Sequence, residues 1–382
     1  MHGFEYFVPT EIVFGAGSTE KLPELLKKRG LSRVLVVYGS SSAKKSGLLD
    51  RVFRLLDEAG VQYRALGGVQ PNPRAALARE GVQLALESGA ELILAVGGGS
   101  VIDTCKAIAH GAANPGTDIW EFWKRRAPLT RSMPVGVVLT IPAAGSETSD
   151  SAVLTNAEAG DRPAFAILDP LLAATLPVHQ VACGVSDILM HTLDRYFNPV
   201  TDNALTDELA EALLRVVLEY GPAAVRDAHD ETAMSEIMWA GSLSHNGLTG
   251  LGGRKDFATH QLGHALSEKF DVYHGDSLTA VWSSWARSVM DEAPARFARF
   301  ARNVWHVEEA DDTAAALAGI AKQEAFFRSI GMPVRLGELS CGKQDEAGLA
   351  DLASRCSYGK TRTIGTFRVL DYESILAIYR RA

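Results

Sequence analysis

Short β-branched runs alternate with amphipathic helical runs through the first 170 residues, and this alternation limits the fold more than any other feature. "RVLVVYG" (33–39) is followed by "SGLLDRVFRLLDEAG" (46–60), and "VQYRALGGV" (61–69) by "PRAALAREGVQLALESGA" (73–90). "ELILAVGGG" (91–99) runs straight into "SVIDTCKAIAHGAA" (100–113), and "PVGVVLTIPAAGS" (134–146) supplies a further strand. A β-α-β-α-β order predicts a parallel sheet covered by helices on both faces. The last strand is "FAIL" (165–168).

Beyond Pro177 the strand signals stop. Residues 178–382 carry helical periodicity almost throughout, as in "DELAEALLRVVLEYG" (207–221) and "DTAAALAGIAKQEAFFRSIG" (312–331). The expected division is an α/β half at 1–177 and an all-helical half at 178–382. No internal repeat or low-complexity linker separates them.

Three loops that follow strands carry chemical clues. In the first, a strand meets Gly97, Gly98 and Gly99, with Ser100 at the expected helix N-cap and Asp103 in the expected first turn. Backbone without Cβ atoms approaches a phosphate closely, and a helix N-terminus offers N–H groups and a positive dipole end. The pattern is not G-x-G-x-x-G, and a tight turn without ligand explains a lone glycine triplet as well. In the second, Gly39, Ser40, Ser41 and Ser42 precede Lys44 and Lys45. An acid after a strand suits a ribose 2′-hydroxyl, whereas hydroxyl and ammonium groups suit a 2′-phosphate, so this loop favours NADP(H) over NAD(H). The third, "LTIPAAGSETSDS" (139–151), adds Thr140 and Ser149. Together the three loops indicate a dinucleotide cleft at the carboxyl ends of the strands.

The helical half concentrates histidines. "KDFATHQLGHALSEKFDVYHGD" (255–276) holds His260, His264 and His274, out of ten in the chain. His260 and His264 are four apart and share one helix face, as do Asp187 and His191 in "GVSDILMHTLDRY". Singly each histidine reads as an ordinary hydrogen-bonded residue. Together they make a divalent-metal site, suited to Fe(II) or Zn(II). Spacing alone leaves open which of His260 and His264 ligates. His179, His229 and His245 lack paired spacing and read as structural.

Composition excludes some partners. With 38 basic and 46 acidic residues the net charge is −8, which gives no reason to expect nucleic acid or an anionic membrane surface. No apolar run reaches spanning length and no signal peptide is visible, so a cytoplasmic protein is expected. Four scattered cysteines fit a reducing compartment.

The segments "GGGSVIDTCKAIA", "PAAGSETSDSAVLTN", "LDPLLAATLP", "GVSDILMHTLDRY", "WAGSLSHNGLTG" and "DFATHQLGHALSEKFDVYHGDSL" resemble the iron-containing (group III) alcohol dehydrogenases, particularly NADP-dependent butanol dehydrogenase-like members. The resemblance spans the chain and implies a dehydroquinate synthase-like architecture, an α/β nucleotide domain followed by a helical metal domain. It implies Asp187, His191, His260 and His274 as metal ligands, with His264 near the nicotinamide in a proton-relay role. Asn72 matches a position on the adenosine side. The implied reaction is reversible hydride transfer between a short primary alcohol or aldehyde and NADP(H), and a homodimer is expected. One departure stands out: "TNAEAGDRPAFAILDP" is shorter than the family's lysine-bearing hairpin, and Arg162 is its only basic residue. Alternatives are a glycerol dehydrogenase-like enzyme, a metal-dependent hydrolase and a catalytically silent metal-binding protein.

Overall fold

Parallel pairing organises the strands of the N-terminal half. The computed structural model describes residues 1–39, 42–154, 157–158, 162–200 and 202–382. The described strands are β1 (Glu11–Phe14), β2 (Arg33–Gly39), β3 (Gln62–Val69), β4 (Leu92–Gly97), β5 (Val135–Leu139), β6 (Val153–Leu154), β7 (Ala157–Glu158) and β8 (Phe165–Leu168). Six of them form one sheet in the order β1-β8-β5-β4-β2-β3, and every pairing in it is parallel. The central strand β4, "LILAVG", is buried along its whole length, which is why its sequence is an apolar run without alternation. In β5, Gly136 is required by packing: a Cβ there would stand 2.3 Å from the Phe165 ring on β8.

The helices of this half are α1 (Leu22–Lys28), α2 (Ser42–Lys45), α3 (Leu48–Glu58), α4 (Ala75–Ser88), α5 (Gly99–Ala113) and α6 (Ile119–Trp123). Leu48, Leu49, Val52 and Leu56 of α3 pack in one buried cluster with Val34 and Val36 of β2. Each such side chain contributes roughly 1.5–3 kcal/mol of burial. Gly81 on α4 lets the Ile108 side chain of α5 approach, since a Cβ would meet it at 2.3 Å.

The remaining helices are α7 (Val178–Tyr196), α8 (Ala204–Arg226), α9 (Glu231–His245), α10 (Ala258–Phe270), α11 (His274–Val289), α12 (Pro294–Trp305), α13 (Asp312–Ser329), α14 (Glu346–Cys356) and α15 (Tyr372–Arg381). The core of this half is aromatic: Phe197 stacks on Phe297 with centroids 4.2 Å apart and meets Trp285 edge-on at 5.8 Å. None of the helices among the described residues is long and apolar enough to cross a membrane.

The chain resolves into two compact units, one made of Phe7–Leu176 with Ala228–Ser242, the other of Met1–Tyr6, Pro177–Asp227 and Leu243–Ala382. Two segments therefore depart from a plain division after residue 177. Most of α9 belongs with the sheet unit because Ser242 Oγ donates to Glu147 at 2.6 Å and Thr148 Oγ1 donates to the Ser242 carbonyl at 2.7 Å. The first residues belong with the helical unit, where the His2 N–H donates to the Gly252 carbonyl at 3.0 Å. The strand β1 and the short β6–β7 hairpin, absent from the periodicity reading, are four and two residues long. Ser40 and Ser41, and residues 155, 156 and 159–161 of the shortened segment, lie outside the described residues.

Candidate metal centre and nucleotide edge

In the helical unit, α7 carries Asp187 and His191 one turn apart, sunk among Ile188, Leu189 and Met190, all fully buried. His260 comes from α10, and His274 opens α11. The Nε2 atoms of His191, His260 and His274 lie 3.4, 3.7 and 3.6 Å from Oδ1 of Asp187. These are not hydrogen bonds: Asp187 Oδ1 and His260 Nε2 are both buried without a hydrogen-bond partner. Orphaned buried polar atoms of this kind need an explanation. Ligand atoms about 2.0–2.2 Å from one tetrahedral ion stand roughly 3.3–3.6 Å from each other, close to the spacing seen. Asp187, His191 and His260 have donor atoms mutually within 4.8 Å. His274 lies outside that set, with its side chain 32% exposed, but reaches the same oxygen. One carboxylate and three imidazoles fit a divalent first-row metal.

Neighbouring groups prepare the ring nitrogens. Asp194, two turns along α7 from Asp187, places Oδ2 2.5 Å from Nδ1 of His260, which turns Nε2 toward Asp187. Burial pushes the His191 imidazole well below its ordinary pKa, and the neighbouring His245 and His260 add to this. His264 is lowered strongly by burial and by His274, and His274 is lowered mainly by burial. Neutral rings keep the lone pair a metal requires. Burial opposes charge on His260 too, but the Asp194 and Asp187 carboxylates prevail and raise it to about 9. An ion entering there exchanges with that proton.

His264 sits beside the donor set, its ring centroid 5.3 Å from that of His274 and 6.1 Å from that of His260. His245, read as structural in the sequence, ends α9 with Nδ1 3.2 Å from Nε2 of His191 and ring centroids 4.0 Å apart. Asp194 carries a signal in the sequence, since its spacing from Asp187 and His191 puts it on the same helix face.

In the sheet unit the strand order sets the carboxyl ends of β5, β4, β2 and β3 side by side. From β2 the chain moves outward to β3, then crosses back to β4 on the other side. The topological switch therefore falls between β2 and β4, where such sheets bind ligands. Gly39 and Gly97 end those two strands. Close packing demands glycine at 97, where a Cβ would stand 2.5 Å from Val101, and favours it at 98, where Ile141 would be 3.1 Å away; at Gly99 a Cβ would meet Ala144 at an ordinary 3.4 Å. The N-cap of α5 is Gly98, in extended conformation and without a side-chain cap. Ser100 is thus the second residue of the helix and not its cap, and Asp103 stands in the second turn. The uncapped N–H groups and the dipole of a 15-residue helix suit a phosphate.

Behind the triplet lies a polar brace. Asp103 accepts from Ser146 Oγ at 2.6 Å and from the Val153 N–H at 2.9 Å. Lys106 is completely buried and donates to the carbonyls of Ser146, Ser149 and Ser151 at 2.8, 3.0 and 2.6 Å. Burial draws its ammonium down to about 8, against the pull of Asp103, Glu147 and Asp150. Ser149 is buried beside it, its hydroxyl 3.4 Å from Nζ. Arg162 donates to the Thr148 carbonyl at 2.8 Å and pairs with Asp150 at 3.3 Å. Lys106 was legible as a lysine inside an apolar helix, a position that demands partners. Thr140 follows β5 and donates its N–H to the Gly97 carbonyl at 3.1 Å. Asn72 follows β3 with φ 58°, a conformation asparagine tolerates. Lys44 lies 5.2 Å over the Tyr38 ring at the end of β2.

A doubly wound sheet with a glycine-lined switch point, and a carboxylate–imidazole set in a helical unit, define a nucleotide-using metalloenzyme. Residues 9–178 match the model of the iron-containing alcohol dehydrogenases, and residues 180–382 match that of the C-terminal part of the Fe-containing alcohol dehydrogenase family. The chain belongs to this family and is an oxidoreductase. It is 37% identical over 391 residues to the probable NADH-dependent butanol dehydrogenase 1 of Bacillus subtilis, covering 100% of this chain and 99% of the relative. It is 36% identical over 349 residues to the NADPH-dependent aldehyde reductase YqhD of Escherichia coli, covering 88% and 89%. The solved structure of an NADH-dependent butanol dehydrogenase A from Thermotoga maritima superposes with a TM-score of 0.95 at 30% identity, over 100% of this chain and 98% of that one.

Proposed function

We propose that the chain catalyses reversible hydride transfer between a short aliphatic primary alcohol or its aldehyde and a nicotinamide nucleotide, with NADP(H) preferred. The observation that carries this is the convergence of three imidazoles on the orphaned Oδ1 of Asp187. A divalent cation held there would supply Lewis acidity toward a substrate oxygen, and a nicotinamide nucleotide would supply the hydride chemistry.

Asp187, His191, His260 and His274 hold the cation. Asp194 fixes the ring of His260, and His245 abuts that of His191. His264, neutral and next to His274, is the group that moves the alcohol proton. Gly97–Ser100 receive the pyrophosphate, with Thr140 beside them and Gly39 and Asn72 toward the adenosine. Asp103, Lys106 and Ser149 hold the 146–151 loop in position. The preference for a 2′-phosphate is supported by the lack of an acid at Gly39 and by the exposed Lys44 and Lys45. A hydrolase using the same ligands has no need of the glycine-lined switch point.

The test is NADPH oxidation with butanal, using protein loaded separately with Fe(II), Zn(II) and Mn(II). Turnover with at least one metal is expected. Absence of turnover with all three, across a panel of short aldehydes, would overturn the proposal.

A further inference from the structure

A second group of donor side chains lies on α7, one turn before Asp187. His179 and Cys183 are four residues apart on that helix, and Asp276 is the third residue of α11. Gly275 allows them to meet. A Cβ at Gly275 would stand 2.7 Å from Cα of Cys183, so any larger residue forces α11 away from α7.

The donor atoms lie mutually within 4.8 Å, with His179 and Cys183 meeting different oxygens of Asp276. His179 Nε2 is 3.0 Å from Asp276 Oδ2, Cys183 Sγ is 3.6 Å from His179 Nε2, and Sγ is 4.0 Å from Asp276 Oδ1. A tetrahedral zinc ion with bonds of about 2.3 Å to sulfur and about 2.0–2.2 Å to nitrogen and oxygen separates these atoms by about 3.6 Å for S–N, about 3.6 Å for S–O and about 3.4 Å for N–O. Small side-chain rotations close the difference. The His179 side chain is 42% exposed and that of Asp276 14%, so an ion can enter from solvent.

Two plainer readings explain less. A hydrogen-bonded trio, with His179 against Asp276 Oδ2 and the Cys183 thiol donating weakly to Oδ1, accounts for each contact singly but not for an imidazole, a thiol and a carboxylate meeting at one place. A reactive-cysteine reading fails on electrostatics. Burial and the Asp276 and Asp187 carboxylates push the Cys183 thiol well up, the wrong direction for a nucleophile.

We propose that His179, Cys183 and Asp276 form a second divalent-metal site, selective for a thiophilic ion such as Zn(II), with the fourth position open to water. On binding, the thiol proton leaves to solvent and sulfur coordinates as thiolate. The ion would clip the start of α11 to α7, two residues from His274. The site has no donor in common with the one at Asp187 and does not depend on its assignment.

The test uses the full chain and two probes, Zn(II) for stoichiometry and Co(II) for absorption. Cys183→Ser is expected to hold one equivalent of Zn(II) fewer than the wild type, which holds two when the Asp187 site is filled as well. With Co(II), the His260→Ala protein should keep the near-ultraviolet thiolate-to-cobalt band, and Cys183→Ser should lose it. If wild type holds one equivalent and Cys183→Ser the same, the proposal is wrong. Absence of a thiolate-to-cobalt band in both wild type and His260→Ala overturns it equally, whether or not the serine variant folds.

Discussion

Asp194 Oδ2 lies 2.5 Å from Nδ1 of His260, and the far nitrogen of that ring faces Asp187 Oδ1 at 3.7 Å. One carboxylate thus aims an imidazole at another, and both carboxylates sit on the same face of α7. The pairing fixes the tautomer of His260 and makes its outward nitrogen the one free to bind.

Replacing that carboxylate should loosen the metal without removing a ligand. Asp194→Asn keeps the shape but accepts the Nδ1 proton more weakly. Metal affinity should fall roughly 10- to 100-fold while the fold persists. Competition with a chelator, beside a circular dichroism spectrum, measures both. Unchanged affinity would mean that Asp194 does not position His260.

His260 and His264 should differ in kind. His260→Ala removes a nitrogen aimed at Asp187 and should sharply lower metal content, with activity falling alongside. His264→Ala should retain the metal and lose rate or change its pH dependence, by roughly 100- to 10,000-fold for a general acid–base role. Elemental analysis of both variants with rates across pH gives the answer. Metal lost from the His264 variant and kept in the His260 variant reverses the two roles.

Part of this arrangement is visible in sequence, for physical reasons. The i,i+4 pairs Asp187/His191 and His260/His264 mark helix faces because 3.6-residue periodicity places them together. That rule does not choose between His260 and His264. The choice follows from Asp194, a residue distant in sequence. His245 carries no local sign, because tertiary packing alone brings the end of α9 to His191. The glycine triplet signals a close approach, and the helix begins one residue into it, with Gly98 and not Ser100 at the cap. The strand β1 leaves no mark in the sequence pattern because four residues carry too little periodicity.

Lys106→Met should separate loop support from the metal. The methionine fills the space but leaves the carbonyls of Ser146, Ser149 and Ser151 without their donor. A buried acceptor left unsatisfied costs about 1–3 kcal/mol. The melting temperature should drop and the KM for nucleotide rise, with metal content unchanged. Thermal melts and nucleotide titration check this, and an unchanged KM would confine Lys106 to stability.

Nucleotide choice turns on Gly39. An aspartate there would repel a 2′-phosphate and accept from ribose hydroxyls. Gly39→Asp should raise the KM for NADPH and lower that for NADH. If the wild type works better with NADH at equal concentrations, the reading of this loop is wrong.

Acid stability provides a test at a buried carboxylate that belongs to neither proposed donor set. Glu211 on α8 is completely buried and accepts from Arg299 Nε at 2.5 Å, Tyr196 OH at 2.8 Å and Asn303 Nδ2 at 2.9 Å. Burial alone would raise its pKa, but the bonds from Arg299, Asn303 and Tyr196 outweigh that and hold it below the usual 4.5. The unfolded chain therefore takes up this proton at higher pH than the folded chain. Above about 4.5 the carboxylate contributes its full stability, and as pH falls through the folded pKa that contribution is lost. Glu211→Gln removes the charge, and either orientation of the amide turns its NH2 toward a donor. The variant should be less stable at pH 7 by about 1.5–3 kcal/mol, the worth of a hydrogen bond to a charged group. It should also lose less stability than the parent between pH 6 and pH 4. Urea unfolding at those three pH values measures the double difference. Equal losses in the two proteins would show that Glu211 titrates alike in the folded and unfolded chains.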